Sequence, residues 1–148
     1  MKRSEIRVYV AGAMRNPDSI EYQKNIRRGI RAGVILKLRG YVPYIPHLDP
    51  QMILLLREDE HITIEKFLED DLVWLAQCHA MFLLPGSSKS AGVHGEVKLA
   101  NKLGIPIFET YAELDNFFKG GKDEGRKVRR NDRHNGVGRH QEMGRGSL

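Results

Sequence analysis

Through its first 118 residues the chain alternates between short apolar runs and longer segments of helical period. Ile6–Ala11, Tyr41–Pro46, His79–Leu84 and Ile105–Phe108 read as strands, short apolar runs bounded by glycine, proline or serine or, in the second, ended by its own prolines. Asp18 to Arg39, Thr63 to Gln77, Gly92 to Leu103 and Tyr111 to Phe118 read as helices, the first with Asp18 and Glu21 placed like a capping box. Strands alternating with helices at this spacing predict an open parallel sheet covered on both faces. Ligands of such sheets bind beyond the carboxyl ends of the strands, at a topological switch point. That directs attention to the loops at 11–18, 45–60 and 85–92.

Charge divides the chain in two. Residues 1–118 carry 15 Lys/Arg and 15 Asp/Glu, whereas 119–148 carry 9 Lys/Arg, 4 Asp/Glu and seven glycines. The expected organisation is one α/β domain over 1–118 and a basic, Gly-rich, disordered tail over 119–148, because the tail has too little apolar surface to offset its ordering entropy. Such a tail can touch nucleic acid weakly and nonspecifically, or serve only as a solvated extension. No apolar run reaches the roughly 20 residues of a membrane helix, so no membrane partner is expected. A single cysteine excludes a disulfide framework, and no apolar leader precedes the first strand, so the expected compartment is the cytoplasm. The histidines at 47, 61, 79, 94, 134 and 140 lack metal-ligand spacing; neither a metal nor a cofactor is expected.

Two acids fall where apolar residues belong. In the 63–77 helix Ile64, Phe67, Leu68, Leu75 and Cys78 form one stripe, and Asp71 lies inside it, while Asp70 falls on the polar side with Lys66. In the 92–103 helix Val93, Val97, Ala100 and Leu103 form the stripe, and Glu96 edges it. A buried acid is costly unless paired or hydrogen-bonded. Asp71 could therefore be a structural acceptor, and Glu96, read as part of the first turn, a helix-dipole acid. Both helices flank the 79–84 strand, however, and two carboxyls converging on a crevice suit glycosidic chemistry: one attacks the anomeric carbon, the other manages a proton.

The loops around them suit an anion. Pro85-Gly86-Ser87-Ser88-Lys89-Ser90-Ala91-Gly92 joins a strand to a helix N-terminus, with Ser87, Ser88 and Ser90 as donors and Gly92 allowing close approach. Gly12-Ala13-Met14-Arg15 adds backbone amides and a guanidinium. A serine-rich loop can also be only a helix cap, and Arg15 only a surface residue. Trp74 reads first as a core residue, with base stacking as the alternative.

Tyr9-Val10-Ala11-Gly12-Ala13-Met14-Arg15, Asp71-Leu72-Val73-Trp74-Leu75 and Ser90-Ala91-Gly92-Val93-His94-Gly95-Glu96 together resemble the nucleoside 2-deoxyribosyltransferase superfamily, and most closely its branch of 2'-deoxynucleoside 5'-phosphate N-hydrolases. The resemblance implies a flavodoxin-like, Rossmann-like three-layer sandwich with four to five parallel strands, assembled as a homo-oligomer. It implies Glu96 as nucleophile, Tyr9 as the residue orienting it, Asp71 as the acid serving the leaving base, and Gly12, Arg15 and Ser90 around a 5'-phosphate. His47 and Asp49 fall where such proteins contact the base. The transferases carry an aspartate at the position of Ser90; a hydroxyl there favours a phosphorylated substrate, since a carboxylate would repel it.

The expected activity is cleavage of the base–sugar bond of a (deoxy)nucleoside 5'-monophosphate, with base exchange by a transferase as the alternative outcome. A nucleotide-binding module without catalysis, and a small α/β domain whose acids are structural, are the two other readings of the same residues.

Overall fold

The computed structural model describes residues 1–119; the tail from residue 120 onward lies outside the described residues. Four parallel strands form one sheet in the order β2-β1-β3-β4. They are β1 (Arg7–Ala11), β2 (Val42–Tyr44), β3 (Ala80–Leu83) and β4 (Ile107–Phe108). Among the described residues five α-helices accompany them: α1 (Ser19–Leu38), α2 (Pro50–Ile53), α3 (Ile64–Ala76), α4 (Ala91–Leu103) and α5 (Tyr111–Phe117). The result is the expected Rossmann-like three-layer sandwich with four strands.

Period-two alternation along β1 sorts the core. Val8 and Val10 pack with Ala32 and Leu36 of α1 and Leu114 of α5. Tyr9 and Ala11 point to the other face and pack with Leu75 of α3, Met81 of β3 and Ala100 of α4. An acid or phenol on the second face is therefore held in the layer between β1 and the α3/α4 pair.

Three expectations change. Of the aliphatics whose helical spacing marks α1 in the sequence, Ile20, Ile26, Ile30, Val34, Ile35 and Leu38, only Ile26 is buried; the covered face is Asn25, Ile26, Gly29, Ala32, Gly33 and Leu36. The small residues have a reason: a Cβ at Gly29 would overlap the His47 ring, and one at Gly33 the Ile45 side chain. The helix thus accepts the chain leaving β2 in close contact, although each glycine costs about 1 kcal/mol of helix propensity. Asp18 caps α1, accepting from the amides of Ile20 (2.8 Å) and Glu21 (3.1 Å), but Glu21 pairs with Lys24 at 2.9 Å instead of closing the box. Of the stripe expected over 63–77, Asp71 and Leu75 of α3 and Cys78 just beyond it are buried and Phe67 is half-buried; Ile64 and Leu68 are exposed because no element lies over them. Likewise Leu103 of α4 is exposed. Among the described residues no helix is long and apolar enough to cross a membrane.

Candidate active site

Strands β2 and β3 lie on opposite sides of β1, so the chain reverses its direction of winding there and leaves a crevice beyond the carboxyl end of β1. The loops that follow β1 and β3 meet at that point. The Leu84 amide donates to the Ala11 carbonyl at 2.8 Å, and the Ala13 amide donates to Ser87 Oγ at 3.1 Å.

Below these loops two phenols meet two acids. Tyr9 of β1 is fully buried, and its hydroxyl donates to Glu96 Oε1 at 2.7 Å. Tyr44 of β2 donates to Asp71 Oδ1 at 3.0 Å. Strand register sets Tyr9 opposite Tyr44, so their rings stack with centroids 5.6 Å apart; Trp74 stacks on the outer face of Tyr44 at 5.4 Å. The column runs from the core outward and ends in an indole that is 53% exposed. Trp74 is thus not a core residue but the open end of an aromatic stack.

Among the described residues no Lys, Arg or His forms an ion pair with Asp49, Asp71 or Glu96. Burial pushes Glu96 up to about 7, with the Tyr9 hydrogen bond opposing the rise. Burial also pushes Asp71 up to about 8, reinforced by the charge of Asp49 and the hydrogen bond they share; the Glu96 charge adds to it. Asp49 is raised by burial but held down by that same hydrogen bond. In this pair Asp71 carries the proton and Asp49 accepts it. Tyr9 stays a neutral phenol, raised first by its burial and then by the Glu96 and Asp71 charges. Glu96 Oε2 is buried and has no hydrogen-bond partner among the described residues.

Two sequence-based assignments need correction. Glu96 lies in the second turn of α4, whose first turn holds no acid, so helix-dipole stabilisation does not explain its position. His47, expected beside Asp49 as a base contact, is only 1% exposed and packs its ring on Gly29 of α1. It faces the backbone of Gly12 and Ala13 rather than the acids, its two ring nitrogens make no complete hydrogen bond, and burial lowers its pKa. The structure brings Asp49 to the site and leaves His47 supporting the loop above it.

The anion-loop candidates occupy one rim. A Cβ at Gly12 would overlap the Leu84 side chain, so glycine lets the two loops close on each other. The Met14 carbonyl accepts from Asn25 Nδ2 at 3.3 Å, and Arg15 is exposed, with no ion-pair partner among the described residues. Ser87 is buried and already engaged with Ala13. Ser88 is exposed, and its carbonyl contacts the His94 ring. Ser90 stands at the N-cap of α4, yet its side chain makes no capping bond, so its hydroxyl remains available. Apart from Ser90 Oγ at 4.0 Å, Gly92 faces open space. Gly86 takes a left-handed conformation (φ 75°), which turns the loop after β3 at little steric cost.

Sequence reasoning missed two residues here. Tyr44 was legible only through its register with Tyr9. Arg28 joins Asn25, Ala13, Gly86 and Ser87 around a small cavity of about 100 Å³ at the same rim. Its signal was α1's excess of cations, Lys24, Arg27, Arg28, Arg31 and Lys37 against the single acid Glu21. Among the described residues no group of three or more His, Cys, Asp and Glu is arranged to hold a metal.

Fold and site together define a parallel α/β domain with an uncompensated acid cluster at its switch point. The chain belongs to the family described as a domain of unknown function, DUF7768, whose model matches residues 7–110 and so spans Tyr9, Tyr44, Asp49, Asp71 and Glu96. No curated protein matches the chain.

Proposed function

We propose that the protein is an N-glycosidase acting on (deoxy)nucleoside 5'-monophosphates in cytoplasmic nucleotide metabolism. The observation that carries the reading is the pairing of two unlike carboxyls on one face of the sheet. Glu96 is oriented by a phenol at 2.7 Å, and Asp71 holds a proton to about pH 8. A glycosidic cleavage needs both states at once.

In the first step a Glu96 carboxylate oxygen bonds to C1' as the C1'–N bond breaks, and Asp71 passes its proton to the departing nitrogen. In the second, water attacks C1' and gives its proton to the Asp71 carboxylate, and Glu96 leaves as carboxylate. The products are free base and sugar 5-phosphate. Tyr9 keeps one Glu96 oxygen fixed and leaves the other without a hydrogen bond to lose when it attacks. Proton transfer of this kind contributes on the order of 10²–10⁴-fold. Trp74 and Tyr44 offer the base an aromatic edge, and Arg15, Arg28 and Ser90 offer the phosphate donors at the rim. Where a second base rather than water reaches the glycosyl-enzyme, the same residues exchange bases.

The test is incubation with a panel of nucleoside 5'-monophosphates and matching nucleosides, followed by chromatography for free base. Release from monophosphates supports the reading. Turnover of nucleosides alone moves the protein to base exchange, and ligand binding without release makes it a binding module.

A further inference from the structure

Two surfaces on this chain are unexplained by that chemistry, and they complement each other. The first is a groove of about 780 Å³ on the α1/α5 face, across the sheet from the acids. Arg27 and Arg31 stand on its rim, and Val34, Leu84 and Tyr111 contribute to an apolar floor. Neither arginine has an ion-pair partner among the described residues. The second is the segment that follows α2. Leu54 is 77% and Leu55 85% exposed; Leu56 and Arg57 follow, then Glu58, Asp59 and Glu60, whose one ion pair among the described residues is Arg57–Glu60 at 3.7 Å. None of these residues lines the groove of its own chain.

The groove chemistry selects its occupant. Cations above an apolar floor fit a segment with adjoining acids and aliphatics. A nucleic acid strand fits less well, because both faces of Tyr111 are taken: Phe82 stacks on it at 4.4 Å, and the Arg39 guanidinium lies 5.0 Å from its ring centroid. The chain's own residues 119–148, with 9 Lys/Arg against 4 Asp/Glu, have the wrong sign.

We infer that the groove receives residues 54–60 of a second copy of this chain, Leu54 and Leu55 lying on the floor and Glu58 and Asp59 meeting Arg27 and Arg31. Two different patches make each contact, so the association is heterologous and closes as a ring or runs on as a filament according to the rotation between copies. This contact does not depend on the proposed glycosidase chemistry.

Light scattering on the full-length chain tests it. The wild type should show at least twice the monomer mass of 16.9 kDa, and salt should weaken the association. Arg27→Glu with Arg31→Glu should return the mass to monomer, as should Glu58→Lys with Asp59→Lys; all four positions are exposed, so melting should change little. Mixing the two reversed variants should restore the complex, because each then offers what the other lacks. Leu55→Ser should weaken association with no change of charge. A monomeric wild type at every concentration overturns the inference. So does a mass indifferent to both reversals, or a mixture that stays monomeric. A monomer that binds a labelled single-stranded oligonucleotide through Arg27 and Arg31 replaces it with a nucleic acid surface.

Discussion

The Tyr9 hydroxyl donates to Glu96 Oε1 at 2.7 Å, a bond between the central strand and the second turn of the helix that follows β3. It is the only hydrogen bond to the Glu96 carboxyl among the described residues, and it opposes the rise that burial imposes. Replacing Tyr9 with Phe should therefore raise the Glu96 pKa above about 7 and move the acid limb of the pH–rate profile upward. At pH above that limb the fold should lose about 1–3 kcal/mol, the cost of leaving a buried charged acceptor unmatched. An unmoved acid limb would show that the phenol does not govern the carboxylate.

The raised acids also make the stability of the ligand-free protein fall with pH. A carboxyl whose folded pKa exceeds its unfolded value binds its proton more tightly in the folded state. Its contribution is complete below the ordinary value near 4 and is lost as pH rises through about 7 for Glu96 and about 8 for Asp71. Asp71→Asn keeps an acceptor for Tyr44 and a donor for Asp49 but removes the ionisation. It should stabilise the protein by about 1–3 kcal/mol at alkaline pH while lowering base release by about 10²–10⁴-fold. Thermal melting across pH checks the first effect and turnover the second. A variant less stable than wild type at alkaline pH would mean that Asp71 is a structural acceptor.

Asp49 acts through Asp71. Its charge and their shared hydrogen bond help hold the Asp71 proton, so Asp49→Asn should lower the Asp71 pKa from about 8 and bring the alkaline limb of the rate profile down with it. Rates on the plateau should change less than the limb position. If both limbs stay where they are in the wild type, the shared proton plays no part in turnover.

Gly29 should tolerate no side chain. A Cβ there overlaps the His47 ring, which is buried beneath the loop carrying Gly12 and Ala13. Gly29→Ala, a change that improves intrinsic helix propensity, should instead destabilise the fold by about 1–3 kcal/mol through overpacking. A melting temperature equal to or above that of wild type would show that His47 can move aside freely.

The alternation of periods made the sheet and its four main helices legible, and Asp71 stood out as an acid among Phe67, Leu68 and Leu75. What sequence periodicity does not carry is whether anything lies over an apolar residue. Ile64 and Leu68 continue the stripe of α3 but have no covering element, and Leu103 of α4 is exposed for the same reason. The true face of α1 escaped because it is built on Gly29, Ala32 and Gly33, which give no hydrophobic signal and matter only once Ile45 and His47 approach them. Tyr44 and Asp49 were hidden as partners of Asp71 because strand register and side-chain proximity, not spacing along the chain, bring them there.

The central claim is that Glu96 is the nucleophile, and the most direct measurement compares base release from nucleoside 5'-monophosphates by wild type and Glu96→Gln, with melting curves to show that both are folded. The account predicts free base from the wild type and none above background from the variant, which retains a hydrogen-bonding group for Tyr9. Equal release by the two proteins would contradict it.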